Sequence, residues 1–279
     1  MNQTAGLSEN ERQYRRYFKE ADFCMGNYEF YKSLENCEKA VQYKQEDFLI
    51  RAMMCLNYYE IGEQMNAKNS QERKKKIELY NRMISVAKEG IKYAPDKGEC
   101  YFMRGLANAR LSTTKGVFSS LFSAKKIEKD WLEAIKHSSD YVSPKNENLQ
   151  ASSYIAIGTY YRLCPDFFLL KLLFGIKGDM DKAVNYCTKA YELDPTRIEI
   201  VKELGISYIS RGLKRKNQED ISEGKKYLEL VESLPLRLKT DSIDKEHSKI
   251  LLNNINLCPG YSRDQQQDIS EEEFLRKIK

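Results

Sequence analysis

GDMDKAVNYCTKAYELDPTRIEIVKELGISYISRG, residues 178–212, decides the reading of the fold. Its first half places small Ala183 and Ala190 seven residues apart, with Val184, Cys187 and Leu193 beside them, and closes on Pro195. Spaced at three, four and seven, these residues share one face of a helix. Its second half puts Leu204, Gly205 and Tyr208 on one face and is expected to stop at Gly212. Small residues let two helix backbones approach closely, and the large residues fill the grooves that remain.

Laid over the rest of the chain, the same frame recurs. Tyr154, Ile157, Gly158 and Tyr161 mark the first helix that pairs with the 178–195 helix. Tyr101, Gly105 and Ala107 mark another first helix, with Trp131, Ala134 and Ile135 on its partner. Cys55, Tyr58 and Gly62 precede Ala87, Gly90, Tyr93 and Pro95; Ser33, Cys37, Ala40 and Tyr43 mark the earliest second helix. Gly224, Leu228, Val231 and Leu234 mark the last. The expectation is five helical hairpins over residues 9–236, most regular over 151–236, then a helix near 242–257. Residues 9–257 are read as a single domain, and 258–279 as a linker with a short terminal helix. Polar caps followed three residues later by Glu stand at Ser8, Asp220 and Ser270.

A bulky residue, Leu-Gly and Tyr on one helix, then two small residues and Pro on the next, resembles the tetratricopeptide repeat (TPR). The resemblance implies an all-α, right-handed superhelical stack of hairpins that binds a protein or peptide on its concave face. The layout also resembles the helical domain of the regulator of microtubule dynamics proteins. A second likeness of layout is to bacterial TPR lipoproteins associated with TRAP transporters, although this chain has no lipobox cysteine.

Composition agrees with helices. Only 14 Gly and 6 Pro punctuate 279 residues, too few for a strand-rich fold. Basic and acidic residues number 46 and 41, too even a balance to argue for nucleic acid. The basic runs Arg73–Lys76 and Lys214–Lys216 read as solvated helix surface. Seven scattered cysteines with no CxxC pair, and only His137 and His247 beside them, make a zinc site unexpected and favour a reducing compartment. No apolar run reaches the roughly 18 residues that span a bilayer. The expected setting is cytoplasmic, or periplasmic or lipid-anchored if a leader precedes this sequence, with a monomer or weak dimer as the assembly.

Two apolar stretches interrupt the repeat. CPDFFLLKLLFGIK, 164–177, carries Phe167 and Phe168; LSTTKGVFSSLFSAKK, 111–126, carries Val117, Phe118, Leu121 and Phe122. Both follow first helices, so they lie on the same side of the stack. They either cover each other and their neighbours, or wall off a cavity for a small apolar ligand. The pairing of Lys171 and Lys177 with phenylalanines also suits a membrane surface.

The sequence contains no phosphate loop, HExxH or nucleophile elbow. The expectation is therefore a non-enzymatic scaffold without metal or cofactor; the alternative is a carrier closed by 111–126 and 164–177. His137 reads as a satisfied interior or edge histidine, His247 as exposed, and Trp131 as core. If a partner binds, the repeat directs it to inward positions of the first helices. These are Glu99, Phe102, Leu106 and Arg110; Ile155, Thr159 and Arg162; and Glu199, Lys202 and Ile206. Arg110, Arg162 and Lys202 would form a basic line able to grip a carboxylate or peptide terminus.

Overall fold

The computed structural model describes residues 7–65, 67, 69–115, 117–137, 139, 148–164 and 177–263, with the backbone alone over 117–122. Residues 165–176, which include Phe167 and Phe168, lie outside the described residues, as does the cap expected at Ser270.

Every regular element described is helical. In chain order they are α1 (Glu9–Gly26), α2 (Phe30–Tyr43), α3 (Phe48–Gln64), α4 (Ser70–Tyr93), α5 (Glu99–Lys115) and α6 (Val117–Lys136). There follow α7 (Leu149–Leu163), α8 (Met180–Leu193), α9 (Ile198–Arg215), α10 (Gln218–Ser233), α11 (Asp241–Asn253) and a 3₁₀ turn (Ile255–Leu257). Helices α1 to α10 are the five expected hairpins, and α11 is the extra C-terminal helix. The chain forms two compact units that divide between Leu149 and Gln150.

In the first unit α3 is the central helix, buried almost continuously from Ile50 to Tyr58 and packed against α2, α4 and α5. A helix apolar on all sides needs neighbours on all sides. Its one internal amide, Asn57, donates to Ser33 Oγ at 2.9 Å, and Ser33 donates to the Ala21 carbonyl at 2.8 Å. These two short side chains stitch α1, α2 and α3 together. Trp131 is core, lying against Gly105 where a Cβ would sit 2.5 Å from the indole nitrogen. The Arg104 guanidinium forks onto Asp130 at 3.0 and 2.6 Å and ties α5 to α6.

The apolar 111–126 stretch adds no separate segment. Helix α5 runs on to Lys115 and α6 starts at Val117, so the extra residues lengthen both helices of one hairpin.

In the second unit α9 is the central helix, packed against α8, α10 and α11. Ala151, Ile155, Cys187, Ala190, Ile200 and Leu204 join α7, α8 and α9 in one core. Ile206, Ile209, Leu228, Leu251, Leu257, Cys258 and Tyr261 form another beneath α11. The stretch expected to be linker is therefore packed as far as it is described: Cys258 and Tyr261 are fully buried.

Two local expectations are corrected. Helix α9 does not stop at Gly212 but one turn later, where Lys216 takes a left-handed conformation (φ 57°) and the Asn217 amide donates to the Gly212 carbonyl. Gly212 is small because Ile221 crosses it; a Cβ there would meet Ile221 Cγ1 at 2.7 Å. The cap of α10 is Asn217, not Asp220, whose carboxylate instead forks onto Arg211 at 2.7 Å through both oxygens. Ser8 caps α1 as expected, accepting from the Glu11 amide.

Helix α9 crosses α10 backbone to backbone. A Cβ on Gly224 would meet the Gly205 carbonyl at 2.5 Å and the Ile209 backbone nitrogen at 2.9 Å. Backbone cannot step aside as a side chain can. Gly224→Ala should therefore lose about 1–3 kcal/mol in chemical denaturation. Gly260→Ala, with nothing within 4 Å of the new methyl, should unfold like the parent protein.

Candidate functional site

The inward positions of α7 and α9 meet the C-terminal segment of the same unit. Arg162, near the end of α7, has no exposed side-chain surface. Its Nη1 donates to three main-chain carbonyls, those of Cys258 (3.1 Å), Pro259 (3.4 Å) and Tyr261 (2.9 Å). Its Nη2 donates to Glu203 Oε2 at 2.8 Å, and Thr159 Oγ1 donates to the same oxygen at 3.3 Å. A guanidinium presents several donors in a fixed plane, so one side chain holds a turn of backbone and a carboxylate together.

Lys202, on α9, is also fully buried. It donates to Asp244 Oδ1 at 2.5 Å and to Tyr261 Oη at 2.6 Å, with Glu203 at 3.8 Å. Burial alone would lower its pKa. Asp244 outweighs this, with Tyr261 and Glu203, and holds the ammonium above its ordinary range. Arg263 closes the circuit between Asp244 Oδ2 (3.1 Å) and Glu199 Oε1 (3.0 Å). Glu199 also pairs with Arg197, whose Nη1 donates to Ser152 Oγ at 2.7 Å. Burial pushes the Glu199 carboxyl up, but Arg263 and Arg197 hold it well below the usual carboxylate range.

The result is one continuous chain of opposite charges: Arg197, Glu199, Arg263, Asp244, Lys202, Glu203, Arg162, and then the carbonyls of 258–261. Each buried charge has a partner, the condition for tolerating it away from water. Burial pushes the Tyr261 phenol up to about 12, against the pull of Lys202. His247 Nδ1 lies 3.0 Å from the same phenol oxygen. His247 is therefore part of the network and half-buried rather than exposed.

The expected basic line divides between the units. Arg110 belongs to the first, where its Nη2 donates to Tyr59 Oη at 3.0 Å and its Nε stands 3.2 Å from Glu63. Phe102 is buried there and Leu106 half-buried, while Glu99, 2% exposed, accepts from Ser139 at 2.6 Å. In the second unit Ile155 and Ile206 are core, and Thr159, Arg162, Glu199 and Lys202 come together in the network. Sequence reading missed Glu203, Asp244, Tyr261 and Arg263. Only the charges at the inward positions Glu199 and Lys202 of α9 hinted that something of opposite charge must cover them.

Chemistry beyond binding has few materials here. Six of the seven cysteines are buried as free thiols, and burial pushes Cys187 and Cys258 up to about 12, out of nucleophilic range. No group of three or more metal-ligating side chains occurs among the described residues. His137 stacks on Tyr101 near Glu133. No described helix is long and apolar enough to cross a membrane.

Comparison with solved structures places the fold. Human IFIT1, as a dimer with m7Gppp-AAAA, aligns with 98% of this chain at 16% identity and a TM-score of 0.56. The fold is TPR-like. The chain spans half the length of IFIT1. MamA from Desulfovibrio magneticus RS-1 aligns with 82% of this chain and 98% of its own, at 15% identity and a TM-score of 0.48. Another MamA crystal structure covers the same share of this chain at 16% identity and a TM-score of 0.47. No family model and no curated protein matches the sequence.

Within this TPR-like unit Arg162 is the residue on which the tail's backbone depends. Arg162→Met would leave Glu203 without its closest cation and take one donor from each of three carbonyls. Breaking a buried pair from one side costs about 3–5 kcal/mol. Removing both ends, as Arg162→Met with Glu203→Gln, should cost clearly less than the sum of the single changes in a double-mutant cycle read by chemical denaturation.

Proposed function

We propose that the protein is a non-enzymatic scaffold that binds a protein or peptide partner along the inward face of its first helices. The observation that carries this reading is Arg162 donating to the carbonyls of Cys258, Pro259 and Tyr261. Contacts made to main chain rather than side chain accept polypeptide of varied sequence, as peptide-binding folds do. In the second unit that contact is made within the chain, with Thr159, Glu199 and Lys202 joining Arg162. The corresponding positions of the first unit are buried Phe102, half-buried Leu106 and Arg110, a cation already oriented by Tyr59 and Glu63. A TPR-like fold supports the same class of function by analogy only.

A displayed random-peptide library panned on the intact chain tests this. Enriched peptides should bind in the micromolar range. Leu106→Glu with Arg110→Ala should weaken them at least tenfold, while Tyr31→Ser, on exposed surface far along the sequence, should not. Peptides indifferent to the inner-face changes would overturn the reading. So would a small molecule that co-purifies and is lost on denaturation in native mass spectrometry, which would favour the carrier instead. The m7Gppp-AAAA held in the IFIT1 structure is a useful control. With charges nearly balanced, this chain should not bind it at physiological salt.

A further inference from the structure

We propose that Lys202, Tyr261 and His247 form a proton-operated latch that holds residues 258–263 on the inner face of α7 and α9 and releases them when His247 is protonated. The regulatory meaning of the latch rests on reading that face as a polypeptide-binding one, since release would clear it for a partner.

The ammonium fixes one hydrogen, and the latch places the next. An ammonium only donates, so Lys202 Nζ, 2.6 Å away, must donate to the Tyr261 oxygen. The single phenol hydrogen is then available to His247 Nδ1 at 3.0 Å. Nδ1 accepts only in a neutral ring whose proton sits on Nε2. Protonation converts Nδ1 into a donor. Tyr261 would then face two cationic donors, and its own hydrogen would lose its acceptor. The added charge would also lie near Lys202 and Arg263.

Among the described residues, the groups that act on His247 are Lys202 from α9, Asp244 and Glu246 from α11, and Tyr261 and Arg263 from the tail. Asp244 and Glu246 favour the charged ring, but Asp244 is already held by Lys202 and Arg263. Burial, then Lys202, lowers the His247 pKa below its ordinary value. A group whose docked pKa is depressed takes up its proton more readily when undocked. Docking is therefore complete above the undocked value, near 6.5, and weakens as pH falls below it.

Attachments of this kind suit a latch. Tyr261 carries both the contact to Lys202 and the contact to His247, and its amide donates to the Cys258 carbonyl that Arg162 also holds. Loss of one phenol hydrogen bond thus loosens the turn that Arg162 reads. The charges uncovered on α7 and α9 can be solvated once exposed.

Amide hydrogen exchange on the full chain tests this without any partner. The Tyr261 amide donates to the Cys258 carbonyl within the segment, and those of Leu257 and Cys258 to Asn254 and Ile255 in the turn that leads into it; together they report its closure. Protection, normalised to the intrinsic rate at each pH, should fall by up to about tenfold from pH 7.5 to 5.5, the limit set by an undocked histidine near 6.5. His247→Gln keeps an acceptor for the phenol, so protection at pH 7.5 should persist and its decline should vanish. Tyr261→Phe should lower protection already at pH 7.5 and remove most of the pH dependence. Constant protection in the parent chain, or an equal decline in parent and His247→Gln, would overturn the latch. Should the glutamine variant not fold, an NMR titration of His247 in the unmodified chain decides: a pKa at or above 6.5 sinks the proposal. Failure of the peptide selection alone would sink the scaffold reading and leave this result standing.

Discussion

The fully buried guanidinium of Arg162 is the constraint around which the second unit is arranged. It has to be neutralised and its two terminal nitrogens have to be met, and the structure does both with Glu203 on one side and three backbone carbonyls on the other. Meeting those carbonyls fixes the path of residues 258–261. That path puts Tyr261 over Lys202 and Arg263 between Glu199 and Asp244. The apolar cluster of Ile206, Ile209, Leu251, Leu257 and Tyr261 then supplies area around a centre whose register is set by charge.

The repeat was legible in the sequence because it rests on close packing, and close packing leaves small residues at fixed spacing. Gly205, Gly224, Ala183 and Ala190 each mark a place where one helix backbone meets another. They revealed the hairpins without any need to know the neighbours. Helix ends were less legible. Gly212 looks like a stop but is small for the sake of Ile221, and Asp220 looks like a cap but serves Arg211. One residue type answers to two physical demands, and the local pattern does not say which.

The site was legible by half. Inward positions follow from repeat geometry, so Thr159, Arg162, Glu199 and Lys202 could be named in advance. Their partners come from a segment some 40 to 100 residues further along the chain, where no repeat pattern runs. Asp244, Tyr261 and Arg263 look like ordinary tail residues until the fold brings them over α9. The charges expected to grip a partner on the second unit are instead matched to one another and to the chain's own segment, which is what an occupied face requires and an empty one does not.

The account stands on the inner face of α7 and α9 being a surface for polypeptide that the chain fills with its own segment. The most direct measurement adds a synthetic peptide of residues 254–263 in trans to the full chain and to its Tyr261→Ala variant, with binding read by fluorescence anisotropy and folding by circular dichroism. A tethered segment competes at about millimolar effective concentration, so the parent chain should exclude the peptide. The variant, folded but with its own segment weakened, should bind it. A folded variant that ignores the peptide, or a parent chain that binds it equally well, would contradict the account.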